Sequence, residues 1–232
     1  MKQTWNEIWS KRQFLQEEGE TTLESLIRMD GFDTPLGKLS EQDFRNYASH
    51  VIKTLDLTPN ETVFEIGCGS GAFIYILYEN GFDVSGIDFA LPLIEIAKQK
   101  MPACAAKLQW CEAIDLKEIN ADVIIANHVF HYFPNLEYVS AVLGTILKSG
   151  GRVLITAMAD ITFKTESEAF RRGMLTAQEY EKKYDGLDIL YFSKPWILNE
   201  VQKLAPNRKV YFLPHKMPKF SQNEYRFDCL IL

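Results

Sequence analysis

A layered α/β fold around a mostly parallel sheet is predicted by three features of the 232-residue sequence. From Thr62 onward, short apolar runs suited to buried strands alternate with helix-like stretches, the rhythm of repeated βαβ units. The first run passes directly into a glycine-rich turn at 67–71. The last two runs, at 209–213 and 225–231, are separated by a 214–221 loop with room for an antiparallel return but none for a crossover helix.

Ahead of the sheet, residues 1 to about 57 place Trp5, Ile8, Trp9, Phe14 and Leu15, then Leu23, Leu26 and Ile27, at near-helical spacing among charged residues. This predicts short amphipathic helices forming an N-terminal cap, broken at Gly31-Phe32-Asp33-Thr34-Pro35. A longer helix over 42–55 follows Ser40 as N-cap, with Asp43 as an acidic partner for the free amides of its first turn. The core, 58–232, then runs through a strand at 62–66, a helix at 72–79 closed near Gly81, and a strand at 83–87. Pro92 suits the first turn of a helix reaching Lys100. Strands are expected at 107–111 and 121–126, a helix at 136–147, and a fifth strand at 152–156 after Gly150-Gly151. The polar stretch at about 160–208 interrupts the strand series and is read as a lid inserted over the carboxyl edge of the sheet.

An apolar fraction of 47% is ample for one compact core. The formal charge of −6 describes a surface that repels phosphate backbones, so nucleic acid is not the expected partner. The cysteines Cys68, Cys104, Cys111 and Cys229 form no CxxC pair, and buried thiols in a reducing compartment are expected, with no metal site. The N-terminus has no apolar signal core, and no window approaches the ~20 apolar residues that cross a bilayer. A cytoplasmic protein off the membrane is expected.

The most informative stretch is Glu65-Ile66-Gly67-Cys68-Gly69-Ser70-Gly71-Ala72-Phe73. Its glycines permit a tight turn and close approach of a ligand to the backbone, and the helix that follows offers free N–H donors. Asp88 ends the next strand about 20 residues on, where an acid accepts hydrogen bonds from ribose hydroxyls. An adenosine-containing ligand at the carboxyl ends of parallel strands is expected. Gly67, Gly69 and Ala72 also satisfy the looser dinucleotide pattern GxGxxA, so the glycines alone do not choose the ligand. Glu65 does. A carboxylate facing a pyrophosphate at about 4 Å costs on the order of 4 kcal/mol at an effective dielectric near 20, whereas beside an ammonium or sulfonium it gains a similar gross amount.

Over 62–158 the sequence resembles the class I methyltransferases, whose first motif reads acid-x-Gly-x-Gly-x-Gly. The resemblance implies a Rossmann-like, seven-stranded, mostly parallel sheet with helices on both faces and a terminal antiparallel strand pair. It also implies S-adenosyl-L-methionine as cofactor and S-adenosyl-L-homocysteine as product. Gly67, Cys68, Gly69 and Gly71 would form the binding turn, Glu65 would meet the methionine amino group directly or through water, Asp88 the ribose, and Phe89 the adenine face. Glu112 and Ala113 fall where the family contacts the adenine amino group, and Asn127 and His128 where it flanks the transferable methyl. The layout, with a Trp-bearing first helix and Asp30-Gly31-Phe32-Asp33, looks like that of short methyltransferases of saccharide or specialised-metabolite synthesis.

Methyl transfer from a sulfonium needs mainly positioning, and a base only where the acceptor must lose a proton. His128 and His131 have a suitable unperturbed pKa of about 6.5. Asp160, just past the fifth strand, is a further cleft candidate, or else a cap for the helix after it. His215, in a proline-flanked loop, is expected at the periphery. Tyr191, Phe192 and Trp196 are candidates for an apolar wall, and Arg171 or Arg172 for contact with an anionic acceptor. The expected partner is a small polar methyl acceptor, reacting at oxygen or nitrogen, with the protein a monomer or homodimer. The competing readings are an NAD-dependent oxidoreductase and a methyltransferase-like protein that binds without turnover.

Overall fold

The computed structural model describes residues 4–12, 17–34, 37–184 and 187–232; Phe14, Leu15 and Pro35 lie outside them. The N-terminal segment forms α1 (Trp5–Ser10), α2 (Thr22–Met29), the small hairpin β1 (Asp33–Thr34) and β2 (Gly37–Lys38), and α3 (Glu41–Leu55). Reciprocal capping boxes start all three helices, pairing Thr4 with Glu7, Thr21 with Glu24, and Ser40 with Asp43. Leu23, Leu26 and Ile27, expected on one helical face, are all buried on α2.

The parallel strands follow as β3 (Thr62–Ile66), β4 (Asp83–Asp88), β5 (Leu108–Trp110), β6 (Val123–Ala126) and β7 (Arg152–Asp160). Helices α4 (Ala72–Glu79), α5 (Leu91–Lys100) and α6 (Leu136–Lys148) join them, with Pro92 in the first turn of α5. Beyond β7 come α7 (Lys164–Gly173), α8 (Ala177–Tyr184), the two-residue β8 (Tyr191–Phe192), α9 (Lys194–Leu204), β9 (Val210–Pro214) and β10 (Arg226–Ile231). The large sheet has eight strands in the order β5-β4-β3-β6-β7-β10-β9, with β8 beside β7. Strand β10 runs antiparallel to both β7 and β9, and the other pairings in this sheet are parallel.

Side-chain alternation sends Val63 of β3 to one face of the sheet and Ile66 to the other. On the first face α2, α3, α4 and α5 share one apolar cluster, so the N-terminal helices bury their stripes against the same layer as the sheet helices. On the second face α6 and α9 pack, with Val142, Ile146, Ile197 and Val201 fully buried.

The structure departs from expectation in three places. Tyr191–Phe192 adds an eighth strand, too short to carry a periodic signal. Strand β7 continues to Asp160 rather than stopping at Thr156, because β10 and β8 supply partners for its second half: Met158 pairs with Phe227, and Ala159 with both Arg226 and Tyr191. An irregularity in the β10 ladder between Phe227 and Cys229 lies beside Ala157, whose φ is +55° and whose N–H donates a hydrogen bond to the Asp228 carboxylate. Finally, α9 packs on the sheet and not over its edge. Strand β10 is antiparallel to both β7 and β9, so β8 and β9 run in the same direction, and joining strands that run the same way needs a crossover, which α9 provides. No helix among the described residues is long and apolar enough to cross a membrane.

Candidate active site

Glu65, Asp88 and Asn127 stand at or just beyond the carboxyl ends of β3, β4 and β6, where adjacent crossovers leave a crevice. The turn after β3 is held tightly: the Cys68 amide donates to the Ile87 carbonyl and the Gly71 amide to that of Cys68. Asp88 clamps it from β4, accepting from the Gly69 amide at 2.9 Å and the Ala90 amide at 2.8 Å.

The amides at the start of α4 are not free, contrary to expectation. Asp30, the C-cap of α2, accepts from Ser70 N–H at 2.6 Å and Ala72 N–H at 3.0 Å. An intrachain carboxylate therefore occupies the position that a phosphate takes at such a helix start. Asp30 was missed in the sequence because a helix C-cap forty residues upstream carries no local signal of its partner.

Glu65 is 2% exposed and its Oε2 has no hydrogen-bond partner among the described residues. Burial, with Asp30 and Asp88 nearby, pushes its carboxyl well above the usual range. Asp30 and Asp88 are likewise raised to about 6, chiefly by burial and against the pull of their amide donors. Three acids facing one crevice with an unsatisfied oxygen suit a cationic ligand and oppose an anionic one.

The crevice opens into a cavity of about 1210 Å³, above the roughly 300–1,000 Å³ common for a single small ligand. Glu65, Gly67, Cys68, Gly69, Asp88, Phe89, Glu112, Ala113, Asn127, His128 and His131 all line it. Glu112 accepts from the Tyr138 hydroxyl at 3.2 Å. Asn127 Oδ1 is shared by the hydroxyls of Tyr47, at 2.7 Å, and Thr156, at 2.9 Å.

Arg171 lines the cavity, but the other wall candidates, Arg172, Tyr191, Phe192 and Trp196, do not reach it, nor do Gly71 and Asp160. Gly71 is the left-handed N-cap of α4. Asp160 caps the turn after β7 through Thr162 and pairs with Lys194 at 2.8 Å, so the capping alternative describes it. His215 is buried, not peripheral: its Nδ1 meets Asp228 Oδ1 at 2.7 Å and its ring lies 4.8 Å from that of His128. His128, with φ of +57°, is ringed by Phe32, Tyr47, His215 and Phe220. Its Nε2 has no partner among the described residues, and burial holds its pKa well below the usual histidine range. His131 is shifted the same way by burial and by Arg226 and Arg171. Trp5 and Trp9 reach the cavity from α1, and Trp5 donates to the Asp188 carbonyl at 2.8 Å while lying against Tyr132.

Residues 64–155 match the family model described as a methyltransferase domain. An uncharacterized methyltransferase of Alkaliphilus oremlandii is 29% identical over 159 residues, covering 67% of this chain and 70% of that protein. The sterol 4-C-methyltransferase of Caenorhabditis elegans is 25% identical over 125 residues, which is 51% of this chain but 37% of the relative's length. The chain spans less than two thirds of several malonyl-[acyl-carrier protein] O-methyltransferases as well, 45%, 43% and 58% of their lengths. Among solved structures, the magnesium protoporphyrin IX methyltransferase of Synechocystis with bound S-adenosylhomocysteine superposes with a TM-score of 0.57 at 13% identity, over 93% of this chain and 88% of that one, a likeness of fold. With the glycine turn and both strand-end carboxylates inside the match, residues 64–155 form a methyltransferase domain of the class I, Rossmann-like kind, whose cofactor is S-adenosyl-L-methionine.

Proposed function

We propose that this protein transfers a methyl group from S-adenosyl-L-methionine to an oxygen or nitrogen of a small polar metabolite, a saccharide or specialised-metabolite intermediate being the class in view. The observation that carries the reading is the buried, unpartnered Oε2 of Glu65 beside a helix start already filled by Asp30. A dinucleotide pyrophosphate would meet three acids there, whereas an ammonium or sulfonium would find its countercharge.

When bound, the cofactor supplies an electrophilic methyl on a positively charged sulfur. In this assignment Glu65 holds its amino group, Gly67, Cys68 and Gly69 line its path, and Gly71 shapes the turn from behind. Asp88 keeps lone pairs for the ribose, Phe89 lies against the adenine, and Glu112 and Ala113 edge the base. Asn127, its oxygen already engaged, presents its amide donors. His128 is the candidate base for an acceptor that must shed a proton, since a neutral imidazole with an open Nε2 accepts one directly; His131 is the alternative. The N-terminal helices, with α7 and α8, form the cover that excludes water, and Asp160 is assigned to the fold and not to the chemistry.

The acidic surface supports a small-molecule acceptor over nucleic acid. Calorimetric titration with S-adenosylhomocysteine and, separately, NAD tests the reading. Binding of the first at micromolar levels and not the second is expected, followed by S-adenosylhomocysteine release with a suitable acceptor. Uptake of NAD alone would overturn it.

A further inference from the structure

The cavity carries a second set of charged groups, opposite in sign to the acids of the glycine turn. Arg226 enters from the start of β10 and Arg171 from α7, and both are buried against the cavity, 8% and 9% exposed. They lie close enough for each guanidinium to bear on His131 and for Arg171 to bear on Arg226. The hydrogen-bond acceptors of Arg226 are neutral: Nη1 donates to the Ala157 carbonyl at 2.9 Å and Nη2 to Gln222 Oε1 at 3.1 Å. Its Nε is buried without a partner among the described residues, as are Gln222 Nε2 and His131 Nδ1. Gln222 and His131 are themselves 0% and 4% exposed, and both line the cavity. Glu179, the acid on this wall, is engaged by the amide and hydroxyl of Thr176.

A guanidinium taken out of water and bonded only to neutral oxygens is left uncompensated unless an anion joins it. Its remaining donors, with those of Gln222 and of a suitably protonated His131, match the several lone pairs of one oxyanion. An aromatic path separates this group from the acids: Phe32 meets His128 at 5.3 Å, His128 meets Phe220 at 5.3 Å, and Arg226 lies 6.0 Å over Phe220. The candidate base thus sits between an acidic compartment and a basic one.

Resting on the methyltransferase reading above, we infer that the acceptor carries an oxyanion, a carboxylate or phosphate group, held by Arg226 with Gln222, His131 and Arg171, so that its nucleophile is presented beside His128. The cavity then sorts its two occupants by charge: the cationic donor goes to Glu65 and its neighbours, the anionic acceptor to Arg226.

The test is isothermal titration of the protein saturated with S-adenosylhomocysteine, using sodium acetate in one arm and inorganic phosphate in the other, with sodium chloride at matched ionic strength as blank. Saturable one-to-one binding of at least one anion is expected, the stronger arm naming the group. Arg226→Gln should weaken it at least tenfold while leaving S-adenosylhomocysteine affinity within about twofold. Because Arg226 also ties β10 to β7, Arg171→Gln and Gln222→Leu serve as independent variants, each expected to weaken the anion several-fold. Saturation by neither anion, or equal affinity in the folded variants, would overturn the proposal. If S-adenosylhomocysteine fails to bind, the methyltransferase reading fails instead, and anion titration of the free protein still decides the site.

Discussion

Asp30 accepts a 2.6 Å hydrogen bond from the amide of Ser70, forty residues later, so that the end of α2 caps the start of α4. The same carboxylate fills the space beside Gly69, where an added Cβ would stand 2.4 Å from Asp30 Oδ1 with φ at +56°. Asp30→Ala should cost about 1–3 kcal/mol by stranding two amides. Gly69→Ala should cost at least the left-handed penalty of about 1–2 kcal/mol, and more where Asp30 is forced out. The double variant should be less destabilised than the sum, because the clash vanishes with the carboxylate. Urea unfolding of the four proteins measures this, and strict additivity would mean that the two sites do not touch.

Glu65→Gln should move stability and affinity in opposite directions. The folded carboxyl titrates well above its unfolded value, so the favourable contribution is present at low pH and is lost as pH rises through the raised value. His128 and His131, held neutral by burial, impose the opposite trend below about pH 6.5. That trend is common to both proteins and cancels in the difference. The melting temperature of the variant should therefore exceed that of the native protein by a margin that grows from pH 5 to 8, while S-adenosylmethionine binds at least tenfold more weakly. A margin that shrinks with pH would contradict a buried Glu65 carboxyl that titrates above its unfolded value.

Trp5 joins α1 to the segment before β8, donating to the Asp188 carbonyl and packing at 4.6 Å on Tyr132. Trp5→Phe keeps the ring contact and removes the hydrogen bond. The expected result is a several-fold rise in acceptor KM, with kcat and S-adenosylhomocysteine affinity unchanged, and faster proteolysis of the N-terminal segment. A fall in kcat alone would place Trp5 against the reacting groups rather than in the cover.

The glycine turn and its two strand-end acids were legible in the sequence because each depends on neighbours within about 20 residues and on the carboxyl end of a parallel strand. The groups that were not legible depend on distant partners. Asp30 reads as an ordinary helix end until α2 docks on α4. His215 reads as a loop residue until β10 places Asp228 beneath it. Arg226 begins a strand whose polar start resembles a solvated edge, yet the second half of β7 pairs with it and turns it inward. Asp160 could be placed at the end of the fifth strand, but whether its carboxylate faced the cleft or capped the next turn was decided by Lys194, on a helix read as part of the lid.

His128 offers the sharpest test of the chemistry. Its imidazole is neutral near pH 7 because burial and the nearby His215, His131 and Arg226 all disfavour the cation; the residue lines the cavity, and its buried Nε2 has no partner among the described residues. His128→Ala should lower kcat by about 10²–10⁴-fold for an acceptor that must lose a proton. S-adenosylhomocysteine affinity should hold within about twofold, since in the proposed function the cofactor is assigned to Glu65, Asp88 and Asn127 and not to the imidazole. In the native protein kcat at saturating cofactor should stay flat well below pH 6.5, because a base of depressed pKa remains unprotonated there. An acid limb near 6.5, or near-normal turnover in the variant, would pass the assignment to His131, whose ring sits nearer the basic wall.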